Sequence, residues 1–421
     1  MAFTSASSRA RALVESAERD LTVVYERIHS VEYAVQERVL RAFSCEEISA
    51  RHFAPTYGYG YDDIARDALD RVFAHSFECE DALVRPQLVS GTHAIFTALD
   101  GLLQAGNTLL SITGKPYDTL ESAIGLSDGG ARGSLIGKGV KYKQHELCDG
   151  SCMDVNALDM ALCQDTSIKV VYIQRSRGYD WRDSIDLSQI AAVCAVVHSH
   201  PGVCVMLDNC YGEFTDFHEP THYGVDIMAG SLIKNPGGGI APTGGYVCGK
   251  HVLVELISNR LTVPGTGREV GSYAASYQPF YQGLFIAPHV TANALKSAAL
   301  FARVFELLGM NTLPASNAVR SDIVQSVRFK DAASLIAFCR SIQAVSPVDS
   351  HVTPYPWDMP GYSDQVIMAA GAFVQGSSIE LSADAPIREP YTAYVQGALT
   401  YGHGRIAVMA AVDALRANTG E

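Results

Sequence analysis

Lys234 stands in the run Gly230-Ser231-Leu232-Ile233-Lys234-Asn235-Pro236-Gly237-Gly238-Gly239. The glycines remove side chains around the amine and let another body approach the backbone closely. A lysine amine forms a Schiff base with an aldehyde once burial or nearby positive charge lowers its pKa; a solvated loop lysine is the other reading. Asp208 ends the apolar run Cys204-Val205-Met206-Leu207. A carboxylate at that point is partly buried and needs a partner, which a protonated ring nitrogen, a helix N-terminus or an arginine could supply. Ser90-Gly91-Thr92 precedes a helical pattern, where free N–H groups and two hydroxyls either bind an anion or simply cap the helix. Tyr117, in Gly114-Lys115-Pro116-Tyr117, follows a strand pattern and either stacks on a flat heterocycle or caps the core. Together these groups fit one ligand: phosphate at Ser90, Gly91, Thr92 and Ser231, ring face at Tyr117, ring nitrogen at Asp208, aldehyde carbon at Lys234. That ligand is a phosphorylated pyridine aldehyde.

The elements that must position these groups alternate. Residues 108–112, 169–174, 203–207 and 246–248 read as buried strands, and 92–103 and 187–197 as helices. Such alternation predicts an α/β fold with a mostly parallel sheet covered on both faces. Residues 8–43 read as one long helix, with Leu21, Val24, Ile28, Val31, Val35 and Val39 on one stripe that packs on another subunit or on its own domain. A further helix is predicted over 289–308. Beyond it the rhythm changes: strand over 322–329, helix over 331–344, and strands over 365–374 and 378–382, a smaller α+β domain.

Composition excludes several functions. The chain has 421 residues and a formal net charge of −13, so nucleic acid is not an expected partner. No apolar run reaches the ~18 residues that span a bilayer, and the N-terminus lacks an apolar signal core. A cytoplasmic location is the expectation. The ten cysteines read as reduced thiols. Cys148 and Cys152 lack the second pair that a zinc site needs, and no metal is expected. Ser231 and Lys234 match the spacing of a serine–lysine hydrolase motif, but Asn235-Pro236-Gly237 would break the helix it needs.

With these motifs in place, the chain resembles fold-type-I pyridoxal-phosphate enzymes of the cystathionine and methionine γ-lyase group, and most closely the bacterial "aluminium resistance" or methionine γ-lyase family branch. The resemblance rests on GYGYDDIARD (58–67), VSGTHAI (89–95), TGKPYDTLE (113–121), IQRSRGYDWR (173–182), LDNCYGEF (207–214), GSLIKNPGGGIAPTGGY (230–246), QGLFIAPHV (282–290), SPVDSHVTPYPWDMPGY (346–362) and GSSIELSADAPIREPY (376–391). It implies an N-terminal helix and arm over 1–60 at a dimer contact, a large pyridoxal-phosphate domain over 61–300 with a seven-stranded type of sheet, and a C-terminal α+β domain over 301–421. It also implies a homodimer or homotetramer with shared active sites. Relatives extend a tyrosine and an arginine from the partner subunit to the cofactor phosphate. Here that loop offers Tyr57, Tyr59 and Tyr61, with Tyr59 the cofactor candidate and Tyr61 a substrate candidate, and no arginine before Arg66. Relatives also bind the substrate carboxylate through an arginine in a C-terminal strand. Arg388 is the nearest candidate, and Arg177 a candidate for the cofactor's phenolic oxygen or the carboxylate; for each, a structural ion pair is the alternative.

The implied reaction is α-proton abstraction from a sulfur amino acid by Lys234 and elimination of the side chain at the γ- or β-carbon, with Tyr117 supplying a proton. The alternative is γ-replacement or C–C bond formation on an activated substrate such as S-adenosylmethionine. A non-catalytic metal-tolerance role is the reading outside enzymology.

Overall fold

The computed structural model describes residues 6–127, 129–359 and 364–419. The end of the quoted 346–362 segment therefore lies outside the described residues. The chain opens with α1 (Ser8–Asp20) and α2 (Thr22–Cys45). The expected single helix over 8–43 is thus two, broken at Leu21, whose φ/ψ of −92°/4° departs from helical geometry. The turn lets each part face a different core. Ala10, Val14 and Ala17 of α1 join the C-terminal core, while Val31, Val35 and Val39 of α2 join the core of the large sheet. Tyr401 and Arg405, near the C-terminus, both hydrogen-bond Glu18 of α1.

Next come α3 (Ile64–Ser76), β1 (Asp81–Arg85), α4 (Gly91–Leu102), β2 (Thr108–Ser111), α5 (Asp118–Ile124), β3 (Lys141–Gln144), α6 (Val155–Gln164), β4 (Ile168–Gln174), α7 (Leu187–Val197), β5 (Cys204–Asp208), β6 (Ile227–Ser231), β7 (Gly245–Gly249) and α8 (His251–Leu261). Among the described residues the strands form a seven-stranded sheet in the order β1-β7-β6-β5-β4-β2-β3. Only β7 runs antiparallel to its neighbours. Alternate residues feed opposite cores: Val205 and Leu207 face one, Met206 the other. The two-residue side-chain period of a strand dictates that division. Helices α3, α6 and α7 cover the first face, and α4, α5 and α8 the second.

The 30-residue helix α9 (Gln278–Leu307) begins well before the expected position 289 and links the two cores. Beyond it lie β8 (Thr312–Leu313), β9 (Val324–Arg328), α10 (Ala332–Ala344), β10 (Val366–Ala369), β11 (Ser382–Pro386), β12 (Thr392–Gln396) and α11 (Tyr401–Thr419). The strands form an antiparallel sheet, β10-β11-β12-β9-β8. Two expectations shift here. The strand predicted over 365–374 ends at Ala369, and the strand predicted over 378–382 starts only at Ser382. Glu380 causes the displacement: its carboxylate accepts from the N–H groups of Phe373 and Val374, both at 2.9 Å, and curls the intervening chain into a loop.

Arg268 ties the edge of the large sheet together. Its guanidinium donates to Asp70 of α3 (3.1 Å), to the Ala82 carbonyl in β1 (2.8 Å) and to Glu255 of α8 (2.9 Å), and it also bonds Asp81. We expect Arg268→Ala to destabilise the fold by about 2 kcal/mol, below the cost of breaking a fully buried pair because the side chain keeps some solvent contact. Urea unfolding of the two proteins measures it.

Candidate active site

The pocket lies at the carboxyl ends of the parallel strands, where open α/β sheets bind ligands. Register fixes its floor. Gln174, last in β4, pairs with Asp208, last in β5, and Asp208 pairs with Ala229 in β6. Ser231 ends β6, and Lys234 follows on the turn that Asn235, Pro236 and Gly237 tighten. Gly237 is required there: a Cβ would sit 1.8 Å from the Leu232 carbonyl oxygen.

The first turn of α4 closes one side. Ser90 caps the helix by accepting from His93 N–H at 3.1 Å, so the capping reading of that hydroxyl holds. The N–H groups of Gly91 and Thr92 precede the first intrahelical donor and remain for an anion. Gly91 packs against Ser231 and Cys210; a Cβ on it would lie 3.2 Å from Ser231 Cβ. The helix start and Ser231 are thus neighbours, as the phosphate assignment requires. Thr92 Oγ1 hydrogen-bonds Tyr117 OH at 2.8 Å, and Gln174 Oε1 accepts from Tyr117 N–H at 2.8 Å. That pair of bonds fixes the ring of Tyr117 over the strand ends.

Asp208 is buried, and burial pushes its carboxyl above the usual range although Lys234 opposes the shift. It accepts from Cys210 N–H at 3.0 Å. The Lys234 amine lies 3.9 Å above the Tyr211 ring centroid. A Schiff-base lysine is expected to have a lowered amine pKa. Burial does act that way, but Cys210, Tyr211, Asp208 and Tyr117 outweigh it and the pKa rises. Burial raises the pKa values of Cys210 and Tyr117 as well. A ligand with a cationic ring nitrogen toward Asp208 and an electrophilic carbon toward Lys234 would neutralise the first and relieve the second. With the anion-binding turn at Gly91 and Thr92, the residues fit pyridoxal phosphate.

Two predicted residues have other partners. Arg177 is buried and donates to the Leu313 carbonyl at 2.9 Å and to Asp322 at 3.4 Å; that is the structural ion-pair alternative, and it binds the loop after β4 to the small domain. Arg388 is half-exposed and pairs with Asp364 at 2.9 Å. Its charge also acts on Asp118, the residue after Tyr117. Tyr59 and Tyr61 project from a surface loop with 72% and 62% of their area exposed and their rings 5.5 Å apart. Bonds from Gly271 N–H to the Tyr59 carbonyl and from Arg66 to the Gly60 carbonyl hold that loop.

Sequence reasoning missed Tyr211, Gln174 and Glu213. Gln174 was visible as the polar end of an apolar strand. Tyr211 has φ of +72°, a strained value for a non-glycine residue, and no sequence signal marks it. Glu213 lies beneath the pocket, with Oε1 accepting from Tyr246 OH at 2.8 Å and Oε2 without a partner.

Fold and site define a pyridoxal-phosphate enzyme of fold type I. A Methionine gamma-lyase family model matches residues 10–416, and the chain belongs to that family of carbon–sulfur lyases. It is 50% identical to protein YnbB of Bacillus subtilis over 94% of both chains. The crystal structure of a carbon-sulfur lyase involved in aluminum resistance from Clostridium novyi superposes with a TM-score of 0.93 at 48% identity, covering 97% of this chain and 96% of that one. The fold alone extends to the pyridoxal-5'-phosphate dependent protein YhfS of Escherichia coli, with a TM-score of 0.62 at 17% identity over 93% of this chain and 97% of that one. No described helix is long and apolar enough to cross a membrane.

Burial raises the Glu213 carboxyl to about 8. Its unfolded value is about 4.3, so across the interval the folded state keeps a proton that the unfolded state has lost. Stability from this group therefore falls as pH rises through that window. Glu213→Gln removes the effect, and we expect the wild type to lose stability relative to the variant by on the order of 1 kcal/mol per pH unit between about pH 5 and 8. Denaturant unfolding of both proteins at several pH values reads the difference.

Proposed function

We propose that the protein removes the α-proton of a sulfur-containing amino acid and eliminates the side chain at its γ- or β-carbon. The observation that carries this reading is the convergence of Lys234, Tyr117 and Asp208 at the strand ends, with the Lys234 amine over the Tyr211 ring. Bound pyridoxal phosphate supplies the electron sink for charge at the α-carbon. Gly91 and Thr92 N–H groups, with the hydroxyls of Thr92 and Ser231, hold the phosphate. Asp208 holds a ring nitrogen in its protonated form. The Lys234 amine takes the α-proton as general base. Tyr117 OH, oriented by Thr92, stacks its ring over the strand ends and donates a proton toward the departing sulfur.

The exposed Tyr59 and Tyr61 support a role outside their own chain's pocket. In this reading they reach the site of a second copy, Tyr59 at the cofactor and Tyr61 at the substrate, in a homodimer or homotetramer. Arg388 takes the substrate carboxylate.

The test is a panel of β- and γ-substituted amino acids, including a methionine sulfonium, offered to the holoenzyme while α-proton exchange and released thiol or thioether are followed. Exchange with at least one sulfur substrate is expected, and exchange with none sinks the reading. Release accompanied by capture of an added carbon or sulfur nucleophile would assign replacement instead of simple elimination. Lys234→Ala should lose the visible cofactor band and reduce exchange by roughly 10³-fold with the fold intact. Tyr117→Phe should keep the band and slow side-chain release by about 10²-fold more than proton exchange. Equal slowing of both steps would remove Tyr117 from the release step.

A further inference from the structure

Away from the pocket, three groups of side chains among the described residues bring metal-ligating atoms together. In the first, Asp81, His251 and Glu255, the Arg268 guanidinium already bonds both carboxylates, so a cation fills the space. The second, Asp159, Cys163 and His200, shows one contact, His200 Nε2 to Asp159 at 2.7 Å. The third is organised differently. Glu78 follows α3 at a turn residue with φ of +54°. Its Oε2 is held from behind by Glu219 N–H at 2.9 Å and by Arg38 Nη1 at 3.4 Å. That leaves Oε1 facing two imidazoles, His218 Nδ1 at 2.8 Å and His222 Nδ1 at 3.6 Å. The two rings stack, centroids 4.0 Å apart and planes 17° apart. One ligand atom from each of the three residues lies within 4.8 Å of the others.

We propose that Glu78, His218 and His222 bind one divalent transition-metal ion of the zinc class at the surface of the large domain. Two imidazoles with a carboxylate form a ligand set that zinc accepts, with water completing a tetrahedron. Imidazole donors select zinc, copper or nickel over the hard magnesium and calcium ions. The carboxylate is anchored through the oxygen that the metal would not use, as an outer-shell partner anchors a ligand. Both histidine side chains are nearly half exposed, at 42% and 48%, so the rings can turn their Nδ1 atoms from the stack toward a shared ion. The ion would tie the end of α3 to residues 218–222. That segment is continuous with Glu219, whose carboxylate accepts from Phe214 N–H at 3.0 Å and from Asn209, the residue after Asp208. The bound ion therefore braces the loop that carries the pocket floor; it takes no part in the chemistry.

The experiment uses untagged holoenzyme freed of metal on a chelating resin, then dialysed against micromolar free Zn²⁺. Metal content by mass spectrometry and thermal unfolding are read on wild type, His222→Ala, Glu78→Gln and Cys163→Ala, with circular dichroism checking each fold. Wild type and Cys163→Ala should bind one more zinc per chain than His222→Ala, and Glu78→Gln should bind at least tenfold more weakly than wild type. Zinc should raise the melting temperature of wild type and not of His222→Ala. Equal zinc content in wild type and His222→Ala, or loss of the ion in Cys163→Ala, overturns the site. These readouts are independent of lyase activity, so failure here leaves the pocket assignment standing, and failure there leaves the metal site standing.

Discussion

A carboxylate taken out of water at the end of β5 sets the terms for the rest of the pocket. Asp208 is 3% exposed, and an unpaired buried charge costs far more than a fold of this size can spare. Cys210 N–H, with the side chains of Cys210 and Tyr172, gives local compensation. The remaining demand is for a cation. The strand register places the residues able to meet it: Gln174 and Asp208 end paired strands, and β6 beside them leads to Ser231 and Lys234. The raised pKa of Asp208 and that of Lys234 thus express one electrostatic problem. A ring nitrogen at one end and a carbon electrophile at the other would resolve it.

The loop after Asp208 turns that electrostatic demand into geometry. Tyr211 and Phe214 both have positive φ, at +72° and +62°. Such residues persist only where the surroundings over-determine them. Here Arg175 donates to Asn209 Oδ1 and to the Gly212 carbonyl, both at 2.8 Å, and Asn235 donates to the Tyr211 and Glu213 carbonyls. Asn235 is the neighbour of Lys234. The same side chain therefore fixes the strained turn and the amine above its ring. Arg38 pairs with Glu219 and with Glu78 and carries the network to the outer surface.

How much of this could be read from the sequence follows from the range of each interaction. The parallel sheet was legible because β4 and β5 are continuous apolar runs, and Lys234, Asp208, Tyr117 and the Ser90–Thr92 turn because each sits next to such a run or to a helix start. Short-range signals identified them; the register between strands brought them together. β1 and β12 escaped because polar residues at both ends, Asp81 and Arg85 in one and Thr392 and Gln396 in the other, leave only three apolar positions between them. The break at Leu21 escaped because the apolar stripe continues across it while the core it faces changes. Glu380 displaced a strand through a carboxylate–backbone bond that periodicity cannot register. Tyr211 depends on a backbone conformation that residues far along the chain impose.

The two arginine candidates differ in the same physical terms. Arg177 is enclosed, and moving it would leave Asp322 charged and buried, a cost of several kcal/mol by the usual range for broken buried pairs. It is suited to holding the loop after β4 against the small domain, with Nη1 on the Leu313 carbonyl and Nη2 on Asp322. Arg388 holds a half-exposed pairing with Asp364, worth little in water, and can exchange that partner for another carboxylate at small cost. Arg177 is thus held in place by a buried pair, whereas Arg388 keeps an exchangeable one.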